Sequence, residues 1–262
     1  MLTVERLRKT YPGTVAADDV SFSLPSGGAL GLVGESGSGK TTVARMLVGL
    51  VTPDSGTVTV DGQVRELRER GRTARLRRAR EIQMVFQDPY VSLDPRLSAA
   101  ECLHAVLRLH GKDRSRAAAL LDQVGLGSRE AGARPHQLSG GQRQRLAIAR
   151  ALAVEPSVLV LDEAVAALDV SIQAQILDLL AEVRRESGVA LLFVSHDLAV
   201  VRHLCDDTLV LHRGRVVESG PVARVLEEPE HPYTRLLLAS VPQPGWDPAQ
   251  VAVIRKGMPA TS

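Results

Sequence analysis

The run Gly34-Glu35-Ser36-Gly37-Ser38-Gly39-Lys40-Thr41 constrains the fold of this chain more than any other stretch. It fits G-x-x-x-x-G-K-[ST], a loop whose backbone N–H groups wrap the phosphates of a nucleotide. Such a loop needs a buried strand before it and a helix after it. Leu30-Gly31-Leu32-Val33 reads as that strand, and Thr42–Leu50 as that helix. The glycines allow positive φ angles and a close approach of backbone to ligand. Lys40 is then placed to reach the β- and γ-phosphates, and the Thr41 hydroxyl to sit on Mg²⁺.

A second stretch, Leu138-Ser139-Gly140-Gly141-Gln142, precedes apolar residues at helical spacing: Leu146, Ala149, Leu152 and Ala153. This predicts a helix over Gln142–Val154 with Ser139 near its N-cap. Free N–H groups and the positive dipole end meet at such a helix start, so it is suited to an anion. The chain thus carries two phosphate-binding devices. With both in place it resembles the ATP-binding-cassette ATPases, whose signature reads LSGGQ, and the resemblance covers nearly the whole length. It implies an α/β fold: a P-loop NTPase core with a mainly parallel sheet, an N-terminal antiparallel β lobe and an inserted α-helical lobe. It also implies ATP and Mg²⁺ as ligands, and a head-to-tail pairing in which the signature of one subunit closes over the ATP of the other.

The remaining candidate residues follow. Val158-Leu159-Val160-Leu161 reads as a central parallel strand that delivers Asp162 and Glu163 at its carboxyl end, where open α/β sheets bind ligands. Asp162 is suited to hold Mg²⁺ and Glu163 to polarise the attacking water, although acidic residues after a strand also serve as plain helix caps. Val189–Val194 reads as another apolar strand, ending in Ser195-His196-Asp197, and the strand Glu81–Phe86 ends in Gln87. By the resemblance, His196 contacts the γ-phosphate, and Gln87 is the glutamine-loop residue that ligates Mg²⁺ and water without titrating. The resemblance also implies that Tyr11, in the turn Tyr11-Pro12-Gly13, is the ring that stacks on adenine, and that Gly34, Glu35, Ser36, Gly37, Ser38, Gly39, Lys40, Thr41 and Thr42 hold the phosphates. It implies as well that Ser139, Gly140, Gly141, Gln142 and Asp169 face the nucleotide across the dimer interface.

Residues 1–240 are expected to form one ATPase domain with a helical insertion at about 88–137, followed by a Pro-rich tail over 241–262. Residues 2–33 read as short strands of an antiparallel lobe, which 57–63 joins. Gln63–Arg80 is dense in arginine and reads as a solvated, partly helical surface. Cys102, Val106 and Leu109 share helical spacing, as does Ala117–Val124; a hairpin through Arg213-Gly214 and a helix near Pro221–Glu228 come later. With three Tyr, three Phe and one Trp in 262 residues, a stacking platform for single-stranded nucleic acid is disfavoured. A net charge of +2 calls for no polyanionic partner, and Cys102 and Cys205 are too isolated for a disulfide framework or metal cluster. No apolar run approaches the roughly twenty residues of a membrane span, and no signal-peptide pattern opens the chain.

Three stretches narrow the resemblance to ATPases that energise oligopeptide, dipeptide and nickel import: Val85–Arg96, Asp169–Gln175 and His231-Pro232-Tyr233-Thr234-Arg235. This implies integral membrane permeases as partners, a second cassette ATPase (paralogue or self), an extracellular substrate-binding protein acting indirectly, and a peripheral place on the cytoplasmic face of the membrane. Oligopeptides or dipeptides are the expected cargo, with nickel or a metal chelate as the alternative. A soluble non-transport cassette ATPase ranks lower, since a chromosome-maintenance type needs a long coiled coil between Lys40 and Ser139. Two residues depart from the family pattern, Ala164 for proline and Ala166 for serine. The chain stops at Ser262 without the cysteine-bearing extension of longer relatives, so no iron–sulfur cluster is expected there.

Overall fold

In Ala29–Val33, Val158–Asp162 and Ala190–Ser195 every residue is buried, the mark of strands covered on both faces. The structure, a computed structural model, describes residues 1–66 and 71–240. The expected tail at 241–262, and residues 67–70 of the arginine-dense stretch, lie outside the described residues.

Along the chain, β1 (Leu2–Tyr11), β2 (Thr14–Leu24) and β3 (Ala29–Val33) precede α1 (Lys40–Leu47). Then come β4 (Ser55–Val60), β5 (Gln63–Val64), α2 (Arg72–Glu81) and β6 (Ile82–Val85). The inserted lobe holds α3 (Ala99–Leu109), α4 (Arg116–Gln123) and α5 (Ser128–Ala131), and leads into α6 (Gly140–Leu152). The core resumes with β7 (Val158–Asp162), α7 (Val170–Ser187), β8 (Ala190–Ser195), α8 (Leu198–Leu204) and β9 (Asp207–His212). The last elements are β10 (Arg215–Pro221), α9 (Val222–Glu227) and α10 (Pro232–Ala239).

Two sheets result. One is six-stranded in the order β10-β9-β3-β8-β7-β6, parallel throughout except for β10. The other is antiparallel, in the order β2-β1-β4-β5. Because side chains alternate across a strand, each central strand feeds two cores. Val158, Val160, Leu192 and Val194 join α1 and the antiparallel lobe, while Leu159, Leu161, Leu191 and Phe193 join the helices of the other face.

Two expectations need correction, that of short lobe strands and that of a solvated arginine stretch. β1 and β2 are long rather than short, and β3 leaves their lobe to enter the parallel sheet, because Ala29–Val33 is apolar throughout whereas β1 and β2 alternate buried with exposed residues. Cys102, Val106 and Leu109 all lie on α3, as their spacing predicts, with Cys102 buried and Leu109 about half exposed. The arginine-dense stretch is not uniformly solvated. Arg65 is buried, pairs with Glu81 at 2.6 Å and donates to the carbonyls of Leu47 and Arg78, so it ties β5, α1 and α2 together.

Candidate functional site

Strand register brings the site together. Val33 of β3 lies opposite Ser195 of β8, and Val194 lies opposite Asp162 of β7. The residues that follow these three strands, Gly34, Glu163 and His196, therefore emerge at one edge of the sheet, its carboxyl end.

The phosphate loop is shaped by contact with its surroundings. Gly34 has φ 151°, and a Cβ there would stand 2.2 Å from the Leu211 carbonyl. Gly39 has φ 108°, and its Cβ would stand 2.0 Å from the Ala16 carbonyl. Only glycine fits either place. Gly214, in the β9–β10 turn, donates to Ser38 O at 2.9 Å, and Asp18 donates to Gly214 O at 2.8 Å. The antiparallel lobe thus abuts the loop through Ala16. Tyr11 lies at the tip of the same β1–β2 hairpin, paired with Thr14, 40% exposed, with Lys9 Nζ 5.6 Å from its ring centroid. Ser36 and Gly37 are exposed and Thr42 is half-buried in α1.

Lys40 is buried, and its ammonium donates to Gly34 O at 2.8 Å and Glu35 O at 2.9 Å. Burial pushes its pKa down, against the opposing pull of Glu163, Asp162 and Glu35. Thr41 Oγ1 donates to Asp162 Oδ1 at 3.2 Å. Burial pushes the Asp162 pKa up, with the Glu163 charge adding to it, while the Thr41 bond, Arg45 and Lys40 oppose. A hydroxyl and a carboxylate side by side are hard oxygen donors, the set Mg²⁺ favours, and the buried Ser38 hydroxyl has no hydrogen-bond partner among the described residues.

Glu163 has φ 49°, a left-handed conformation that costs a non-glycine residue on the order of 1 kcal/mol. Two backbone bonds hold it there: Glu163 N–H to Val194 O at 2.9 Å and Ala166 N–H to Glu163 O at 3.1 Å. The twist presents the side chain to His196, whose Nδ1 lies 3.2 Å from Glu163 Oε1. Ala164, where a proline was the pattern, is buried, so the turn is held without a ring.

The remaining candidates are positioned by other elements. Gln87 is exposed on a cavity of about 320 Å³ that it shares with Tyr90, Gly140, Arg143, Ala164 and Leu168. No hydrogen bond joins it to Thr41 or Asp162 among the described residues. Ser139 caps α6: its Oγ accepts from Gln142 N at 3.2 Å, and Gln142 Oε1 accepts from Ser139 N at 2.9 Å. This leaves the N–H groups of Gly140 and Gly141 at the mouth of the helix. Asp169 caps α7 in the same way, accepting from Ile172 N at 3.0 Å. One contact has no signal in the sequence: the Tyr233 hydroxyl, from α10, accepts the Glu35 N–H at 3.0 Å.

The family model described as "ABC transporter" matches residues 17–166, and that described as "Oligopeptide/dipeptide transporter, C-terminal region" matches 217–261. The chain is 50% identical over 232 residues to the glutathione import ATP-binding protein GsiA of Escherichia coli K12, covering 87% of this chain. It is 48% identical to the protein of the same name from Salmonella typhimurium LT2, over the same share. The chain spans 37% of the length of these relatives. Among solved structures it is similar to the dimeric ATP-binding cassette MJ0796 in a post-hydrolysis state bound to ADP and Pi, at TM-score 0.75 and 30% identity, covering 85% of this chain and 99% of that one. It is also similar to cbiO1 of Clostridium perfringens, part of the ABC transporter complex cbiONQ, at TM-score 0.77 and 27% identity, covering 97% and 98%.

A carboxyl group whose folded-state pKa is raised is stabilising below its unfolded value and loses that contribution as pH rises through the folded one. At neutral pH the ionised Asp162 is therefore a cost to the fold. Asp162→Asn, which keeps the acceptor for Thr41, should raise the thermal midpoint at pH 7 measured without nucleotide or metal. The gap from wild type should shrink toward acid pH. A lower midpoint in the variant at pH 7 would show that the carboxylate is a net structural support.

Proposed function

The chain belongs to the ABC transporter family, and from that premise we propose that it binds and hydrolyses ATP as the energy-coupling subunit of an importer for oligopeptides or dipeptides. The observation that carries the reading is one cluster at the carboxyl edge of the parallel sheet: Lys40 on its loop, Thr41 on Asp162, and Glu163 beside His196. The peptide class is supported by the match over 217–261 and by relatives named for import of glutathione, itself a small peptide.

Each residue has a distinct part. Backbone N–H groups of Gly37 to Thr41 receive the phosphates at the start of α1, where the helix dipole adds its positive end. Lys40 carries three N–H donors and exchanges its loop carbonyls for β- and γ-phosphate oxygens. Thr41 and Asp162, with Gln87, would hold Mg²⁺, which neutralises charge on those oxygens. Glu163 accepts a proton from water as its oxygen attacks the γ-phosphorus and the bond to the ADP oxygen breaks. His196 orients Glu163 and contacts the γ-phosphate, and Tyr11 stacks on the adenine.

The likeness to dimeric cassettes supports a head-to-tail pair in which Ser139–Gln142 and Asp169 of one subunit complete the site of the other. Among the described residues no helix is long and apolar enough to cross a membrane. From the likeness to cbiO1, part of an ABC transporter complex, and to import ATP-binding proteins, we place the subunit peripherally on the cytoplasmic face, bound to permeases fed by an extracellular substrate-binding protein. The 88–137 lobe is the proposed permease contact, with Tyr90 and Val91 43% and 69% exposed at its entry.

Glu163→Gln keeps the shape of the side chain and removes its charge. It should lower the ATP turnover rate on the order of 10²-fold or more while leaving ATP affinity near wild type. Phosphate release and equilibrium binding, measured in parallel, check this; retained turnover would remove Glu163 from the role of base.

Pairing is tested by mixing two defective chains. Lys40→Met disables the phosphate loop. Gly140→Asp puts a carboxylate at the signature and has room for it, since a Cβ there meets only Leu168 Cδ2, at 3.7 Å; at Gly141 it would press on Ile172 Cγ2 at 2.5 Å. Each variant alone should be nearly inactive, and mixing, with itself or a co-purifying paralogue carrying the complementary defect, should restore part of the turnover. Full turnover from either variant alone would refute the shared site.

A further inference from the structure

The Gly34–Glu35 peptide unit is gripped from both ends. Its carbonyl accepts Lys40 Nζ at 2.8 Å, and its N–H donates to the phenolic oxygen of Tyr233 at 3.0 Å. In a trans peptide these two groups point in opposite directions, so Lys40 and Tyr233 hold opposite sides of one rigid plane. Gly34 lacks a Cβ, so its own torsions resist rotation of that plane weakly. The next carbonyl, Glu35 O, accepts both Lys40 Nζ at 2.9 Å and Ser38 N at 3.2 Å. The orientation of the 34–35 plane therefore governs where the ammonium rests.

Tyr233 is built to hold still. It is 1% exposed, and its ring packs on His212 with centroids 3.8 Å apart. His212 ends β9, which pairs in parallel with β3, the strand that launches the loop. The start of α10 is fixed as well: His231 Nδ1 accepts Tyr233 N at 3.1 Å, and the Glu218 carboxylate accepts Glu230 N at 2.8 Å and His231 N at 3.0 Å. Burial pushes the Tyr233 pKa up, so the oxygen facing Glu35 belongs to a neutral phenol.

We propose that Tyr233 is a positioning residue of the phosphate loop: by accepting the Glu35 N–H it fixes the 34–35 peptide plane, and with it the shape of the loop that receives the phosphates once Lys40 has left its carbonyls, so that the seating of α10 sets affinity for the nucleoside triphosphate. This rests on the reading of Gly34–Thr41 as the ATP site. Tyr233 touches no reacting atom. Its effect belongs to binding, and displacement of α10 loosens the loop from 198 residues away in sequence.

The test uses the full chain as wild type, Tyr233→Phe and Tyr233→Leu. Phenylalanine keeps the ring on His212 and removes the acceptor oxygen; leucine removes both. For Tyr233→Phe, Kd and KM for ATP should rise about three- to tenfold, as for one lost hydrogen bond, while kcat at saturating ATP stays within about twofold. Amide hydrogen exchange at Glu35, measured without nucleotide, should quicken, and Tyr233→Leu should exceed Tyr233→Phe in both respects. Unchanged exchange at Glu35 in a folded Tyr233→Phe overturns the clamp, as does a lowered thermal midpoint with exchange and affinity both unchanged. Faster exchange with unchanged ATP affinity overturns the link to nucleotide. Failure of the wild type to bind ATP would defeat the proposed function instead, and the Glu35 exchange would still decide whether the clamp exists.

Discussion

A buried ammonium is the constraint on which the site depends. Lys40 sits inside the protein, where an uncompensated charge costs several kcal/mol. Two kinds of compensation reach it. The carbonyls of Gly34 and Glu35 give it hydrogen bonds, and Asp162, Glu163 and Glu35 supply opposite charge. Asp162 and Glu163 come from β7, two strands away from β3 in the sheet. The sheet order and its register are thus what let one lysine and two carboxylates share a small volume. Each side needs the other, because the Lys40 charge also eases ionisation of the buried Asp162.

The same edge stores strain and has the means to hold it. Glu163 takes a left-handed backbone because the ladder between β7 and β8 runs one step beyond Asp162, through the Val194 carbonyl. A rigid, doubly covered sheet makes that affordable, and the result is a carboxylate aimed at His196 rather than back along its own strand. The antiparallel lobe and the β9–β10 turn press on the other side of the loop, through Ala16 and Gly214. The geometry of the site and the stability of the fold here draw on the same contacts.

Much of this was legible in the sequence, for identifiable reasons. Val158–Leu161 and Val189–Val194 are unbroken apolar runs, and such runs become strands covered on both faces. The glycine spacing at 34–39 and the cap at Ser139 are local signals, and local structure obeys them. What escaped is non-local. Arg65 lies in an arginine-dense stretch, and only the positions of Glu81 and the Leu47 carbonyl make it a buried tie. The positive φ of Glu163 depends on a neighbouring strand, and the cavity that Gln87 shares with Gly140 and Ala164 is formed by segments far apart in sequence. Tyr233 was legible only as part of a subgroup motif; its bond to Glu35 requires the whole chain to be folded.

The most direct measurement is a crystal structure of the chain with Mg²⁺ and a non-hydrolysable ATP analogue. The triphosphate is expected to be enclosed by the N–H groups of Gly37 to Thr41, with Lys40 Nζ moved from the Gly34 and Glu35 carbonyls onto phosphate oxygens, Thr41 and Asp162 on the metal, and Glu163 with His196 facing the γ-phosphorus. A nucleotide bound elsewhere, with Lys40 still resting on its own loop, would contradict that arrangement.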